Sequence, residues 1–104
     1  MVLKGIRSMM LDQLHDQRNQ IILLAQKYRA SKIKVFGSVA RGEDQLNSDV
    51  DFLVSFDSGY DMFKQRMPLA EELSKLIGRK IDLVVEHELN KHIRDCVLME
   101  AKNI

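Results

Sequence analysis

The sequence predicts a mixed α/β fold, a small sheet flanked by helices in the order α-β-α-β-α-β-α. Three apolar runs carry the sheet: Lys32 to Phe36, Asp49 to Phe56 and Lys80 to Val85, short and rich in β-branched residues. The segments around them repeat apolar residues at spacings of three, four and seven, the period of a helix with one buried face. The 104 residues, 45% of them hydrophobic, are expected to form one domain, burying about two-thirds of the unfolded chain's surface around one core.

In chain order, Met10, Leu14, Ile21, Ala25 and Tyr28 make the stripe of a first helix running from about Met9 to Arg29. Ile22 and Leu24 widen its buried side, while Asp12, Gln13 and Arg18 are expected to face water. The first strand, Lys32 to Phe36, stops at Gly37. Ser38 to Arg41 then makes a helical turn or two. Gly42 is free to take a positive φ, and Asn47-Ser48 suits a turn before the second strand. Asp57 to Asp61 is a loop by composition. Asp61 caps a helix reaching Ile77, with Phe63, Ala70, Leu73 and Ile77 on its buried side and Gly78 ending it. Pro68 lacks an N–H and predicts a break near Met67. After the third strand, Asn90 caps a last helix whose buried stripe is Ile93, Val97, Ala101 and Ile104.

Composition narrows the function. Sixteen basic and fifteen acidic residues give a formal charge of +1, against the strongly basic face of a dedicated nucleic-acid binder, so no direct nucleic-acid contact is expected. Cys96 is the only cysteine, which excludes an internal disulfide. No apolar run approaches the ~20 residues of a membrane span, and Met1 to Arg7 lack the long apolar core of a signal peptide. The expected compartment is the cytoplasm.

The chemistry gathers in Val35 to Phe56. Asp49 and Asp51 stand two apart at the head of a strand, so both side chains leave one face while Val50, Phe52 and Val54 take the other. Carboxylates held side by side repel unless a cation lies between them, and hard oxygen donors of this kind suit magnesium shared with substrate phosphates. Gly37-Ser38, ten residues earlier, ends a strand in a small flexible turn whose backbone N–H groups are available to a phosphate. This combination points to metal-assisted nucleotidyl transfer. Two rivals fail on chemistry. A calcium loop lacks its Gly and closing Glu. A P-loop needs Lys-Ser/Thr where Glu43-Asp44 stands after Gly37-x-x-x-x-Gly42. Arg41 has two readings, a phosphate contact or a surface pair with Glu43 or Asp44. His92 and Cys96 share a helical face, but two ligands do not make a zinc site. Met62 and Met67 beside Phe63 read as core filling or as an adaptable partner surface.

Gly-Ser, ten residues, then Asp-x-Asp resembles the signature of the DNA polymerase beta-like nucleotidyltransferase superfamily. The length and the wording Gly-Ser-Val-Ala-Arg-Gly-Glu look most like its minimal nucleotidyltransferases, antitoxins to ribonucleases of the HEPN type. The resemblance runs from about Lys32 to the C-terminus. It implies a third catalytic carboxylate on a later strand, which Asp82 fits; an acid within the apolar run Ile81 to Val85 is costly to bury unless something binds it. It further implies that Asp49, Asp51 and Asp82 hold two magnesium ions, that Gly37, Ser38 and Arg41 bind the nucleotide, and that ATP is the substrate. The implied role is the antitoxin of a type VII-like toxin–antitoxin pair, which forms a hetero-oligomer with a HEPN-domain toxin and transfers AMP to one of its tyrosines. The alternative is a non-catalytic antitoxin that covers its partner. A subunit modifying RNA ends or a small molecule with another partner is a third possibility.

Overall fold

The computed structural model describes residues 9–104; the N-terminal stretch read for a leader lies outside them. Helices α1 (Met9–Asp16) and α2 (Arg18–Lys27) lead into β1 (Lys32–Phe36), the short helix α3 (Gly37–Arg41) and β2 (Val50–Ser55). A π-helical turn (Met62–Arg66) runs into α4 (Met67–Ile77), followed by β3 (Ile81–Val85), a 3₁₀ turn (Glu86–Glu88) and α5 (Lys91–Glu100). The sheet is mixed, as expected. β2 is central, antiparallel to β1 and parallel to β3. Parallel strands need a long crossover, and α4 supplies it.

One face of the sheet carries the core. Val35 of β1, Val50, Phe52 and Val54 of β2 and Leu83 and Val85 of β3 pack against Met10, Leu14, Ile21 and Ala25 of α1 and α2, and against Leu69, Leu73 and Ile77 of α4. Alternation along β2 then sends Asp51 and Leu53 to the opposite face.

Several local expectations are corrected. The first helix is interrupted at Gln17, and Gln13 does not face water. Its amide donates to the Ile77 carbonyl (2.9 Å) and that of Gln17 to Leu76 (3.1 Å), tying α1 and α2 to the last turn of α4. The helical stretch also stops at Lys27 rather than Arg29. Arg29 takes a left-handed φ of 63°, Arg29 N bonds Gln26 O, and Ala30 N reaches back to Ala25 O, a capping pattern usually closed by glycine.

The break expected near Met67 is a change of helix type, from π to α, without an intervening non-helical residue. Asp61 caps as expected, accepting from Phe63 N and Lys64 N, but the first turn is π-helical and passes directly into α4 with Pro68 at its start. The wider turn puts preceding residues out of phase with Leu69, Leu73 and Ile77, so Phe63 faces solvent. Met62 and Met67 are exposed with it, which removes their core-filling reading.

The last correction is α5. Asn90 caps it, yet the helix buries no residue; Ile93 is exposed, and the helix ends at Glu100. Ala101 turns extended. Lys102 and Val35 exchange backbone hydrogen bonds at 2.8 and 3.0 Å, and Ile104 enters the core. The tail thereby covers part of the free edge of β1. No helix among the described residues is long and apolar enough to cross a membrane.

Candidate active site

The antiparallel register sets Phe36, the last residue of β1, opposite Asp51. The β1–α3 junction therefore lies over the start of β2. Gly37 there has φ 75°, and a Cβ built on it would overlap Asp51 Oδ2 and stand 3.0 Å from Cγ. Two separate constraints thus exclude a side chain: the left-handed backbone and the carboxylate pressed against the Cα. Gly42 closes α3 at φ 72°, with Glu43 N bonded to Ser38 O at 2.8 Å. The motif glycines are the two hinges of this turn.

The parallel register pairs Asp51 with Asp82, so both side chains leave the same face from adjacent strands. Asp49 precedes β2 by one residue and is exposed. Asp82 is exposed as well, because β3 is the sheet's outer strand. The expectation that burial of Asp82 demands a bound partner is therefore corrected. Asp51 is the half-buried member. Burial pushes its carboxyl up to about 6, helped by the negative charges of Asp82, Asp49 and Glu100, while Arg41 opposes.

That accumulated negative charge, built from hard oxygen donors, fits a divalent cation. Among the described residues no three such side chains close around one point as they stand.

Arg41 has partners. Its Nε donates to Glu43 at 2.8 Å, one of the two surface pairs expected, and its Nη1 to Glu100 at 2.7 Å. Glu100 was not foreseen, since nothing in the pattern of the last helix marks it. Its other oxygen accepts from Gly37 N at 2.6 Å. Arg79 was missed too. Its Nε donates to Ser48 O (3.1 Å) and its Nη2 to Gln45 O (2.7 Å), holding the loop that delivers Asp49. Ser48 is the turn former expected, its hydroxyl accepting from Gln45 N at 2.7 Å. His92 and Cys96 are both exposed.

The chain that carries this turn and these carboxylates matches the polymerase beta nucleotidyltransferase family model over residues 19–104. The chain belongs to that family. It is a nucleotidyltransferase. Its sequence is 39% identical over 78 residues to the protein adenylyltransferase MntA of Thermococcus cleftensis, covering 75% of this chain and 78% of that one. It is 39% identical over 69 residues to a candidate protein adenylyltransferase of Methanocaldococcus jannaschii, covering 65% and 69% of the two chains. Among solved structures, one of a candidate minimal nucleotidyltransferase superposes with a TM-score of 0.81 at 36% identity, over 90% of this chain and 95% of that one. A toxin–antitoxin structure with AMP-PNP superposes with a TM-score of 0.70 at 28% identity, over 81% and 68%. The nucleotidyltransferase fold expected from the motif is therefore the fold observed.

Proposed function

We propose that this nucleotidyltransferase is an antitoxin that transfers AMP from ATP to a tyrosine hydroxyl of a partner HEPN ribonuclease toxin. The observation that carries the reading is the packing of Gly37 on Asp51, with Asp82 in register beside it. Likeness to the MntA adenylyltransferase and to an AMP-PNP-bearing toxin–antitoxin structure supports the nucleotide and the kind of partner. The site of action is the cytoplasm, where the exposed Cys96 stays a thiol.

Asp49, Asp51 and Asp82 would hold magnesium, which supplies charge neutralisation at the phosphates and lowers the pKa of the attacking hydroxyl. The Gly37 amide, Ser38 and Arg41 bind the β- and γ-phosphates and orient pyrophosphate for in-line departure. Asp82 assists removal of the tyrosine proton. The tyrosine oxygen then bonds to the α-phosphorus, and the bond from that phosphorus to pyrophosphate breaks. The product is an AMP ester of the partner.

The test is intact mass of the co-purified partner after incubation with ATP and magnesium. Wild type adds one AMP unit per transfer, and the addition disappears when the acceptor tyrosine becomes Phe. The Asp49→Asn, Asp51→Asn double variant still folds and binds the partner but adds no mass, and it neutralises the toxin poorly at limiting dose. Full protection by the double variant, with no mass added by either form, would leave steric cover as the mechanism.

A further inference from the structure

Glu100 ends α5 with both carboxylate oxygens engaged on the β1–α3 turn. Oε1 accepts from the Gly37 amide at 2.6 Å, and Oε2 pairs with the Arg41 guanidinium at 2.7 Å. These are two of the groups assigned above to the nucleotide's phosphates. A carboxylate gripped by one backbone N–H and one guanidinium makes the same charge-assisted contacts as a phosphate oxygen pair. The chain therefore already holds an anion of its own where a nucleotide would bring one.

The placement is built rather than incidental. Ala101 turns extended directly after Glu100, Lys102 is bonded to Val35 in both directions, and Ile104 is buried. That anchoring fixes the end of α5 beside the junction where β1 becomes α3. No residue of the helix is fully buried, and of its apolar side chains Val97 is half-buried while Ile93, Leu98 and Met99 are exposed, so α5 is held to the fold chiefly by Glu100 and by the tail that follows it. Arg41 and the Gly37 amide hold the Glu100 carboxyl below its ordinary range, although burial alone pushes it up, so it is charged at neutral pH. The same charge bears unfavourably on Asp51. Seating Glu100 thus satisfies the phosphate-binding donors while adding a negative charge to the group of acids.

We propose that Glu100 is an internal competitor for the nucleotide's phosphates, so that nucleotide enters only as Glu100 leaves Gly37 and Arg41 and the end of α5 lifts from the turn. The proposal rests on the nucleotide-binding reading given above. It makes Glu100 a determinant of nucleotide affinity without a part in the chemistry. It also ties occupancy of the site to the position of the C-terminal segment.

Calorimetric titration of the full chain with ATP in excess magnesium tests it, using Glu100→Gln and Glu100→Ala. Loss of the charged competitor tightens binding by about tenfold in Glu100→Ala, equivalent to ~1.4 kcal/mol. Glu100→Gln, still able to accept from Gly37 N, falls between Glu100→Ala and wild type. A second measurement needs no variant: hydrogen exchange of residues 97–104 in wild type speeds up when ATP and magnesium are added. Equal or weaker binding by both variants, or slower exchange of the segment on adding nucleotide, overturns the proposal while leaving the transferase reading intact. Absence of ATP binding by wild type and both variants removes the transferase reading and this proposal together.

Discussion

Asp51 is the residue on which the site's electrostatics turn. Its carboxyl titrates at about 6 in the fold against an ordinary value of 3.8, so the folded chain binds the proton more tightly than the unfolded chain. Stability then falls as pH rises through that window, because the unfolded state carries fewer protons there than the native one. Metal-free wild type is expected to melt at progressively lower temperature from pH 4 to about 6 and to change little further, as far as Asp51 is concerned. Asp51→Asn removes the charging cost, so in EDTA it melts a few degrees above wild type at pH 7.5. The two curves converge near pH 4, and thermal melts followed by circular dichroism across pH check this. Gly37 belongs to the same contact. Gly37→Ala carries the left-handed penalty of about 1–2 kcal/mol and in addition the overlap with Asp51. Urea unfolding should show a smaller loss when Gly37→Ala is made in an Asp51→Ala background, since the overlap is relieved and only the backbone strain remains. Equal losses in both backgrounds would mean that the carboxylate simply swings aside. The positive φ at Gly42 was legible from its place after a short helix, but the second constraint on Gly37 was not. It comes from a carboxylate fourteen positions away, brought there by strand pairing.

At the scale of elements, the loop before β2 depends on a helix exit. Arg79 follows Gly78, which ends α4 at φ 77°, and its guanidinium holds the Ser48 and Gln45 carbonyls. Val50 N bonds to Lys80 O at 2.9 Å in the same region, so the start of β2 is fastened to the residues leading into β3. Arg79→Ala is expected to weaken magnesium binding by about tenfold, as loss of supporting groups around metal ligands does. Its effect on the melting temperature should be small, because the pairing of β2 with β3 persists. Magnesium titration followed by amide chemical shifts of Asp49 and Asp51 measures both. A variant with wild-type affinity would show that Asp49 is positioned by the strand alone. The π-helical turn teaches the complementary lesson. Asp61 and Pro68 announce a helix start and a disturbance, but i→i+5 bonding has no sequence period of its own, and Phe63 for that reason lies outside the face its α-helical spacing implies.

For the whole molecule, a ligand that binds only the folded chain stabilises it by mass action. ATP with magnesium at ~100 times its dissociation constant should contribute about 2.7 kcal/mol and raise the melting temperature by several degrees. ATP in EDTA should add little, since this site offers phosphates one arginine and no P-loop lysine. The Asp49→Asn, Asp51→Asn variant should show no magnesium-dependent rise. Equal stabilisation in EDTA and in magnesium would remove the metal from the account of binding.

What the sequence by itself determined is what local physics carries. The three strands fall where β-branched runs lie between turn residues, and the caps at Asp61, Asn90 and Gly78 stand where their side chains or lack of one require. The Gly-Ser and Asp-x-Asp spacing also marks a nucleotidyltransferase. Tertiary structure alone decided the pairings. Asp82 is beside Asp51 because β2 and β3 run parallel in that register, and a one-residue slip would have sent it to the other face. Glu100 reaches Gly37 because the tail beyond α5 joins the edge of β1. The apolar stripe expected of the last helix is only partly realised: Ile93 is exposed and Val97 and Ala101 are half-buried, while Ile104, carried by the extended tail beyond α5, reaches the core. Contacts between residues 63 positions apart follow from chain topology, and no periodicity within a segment encodes them.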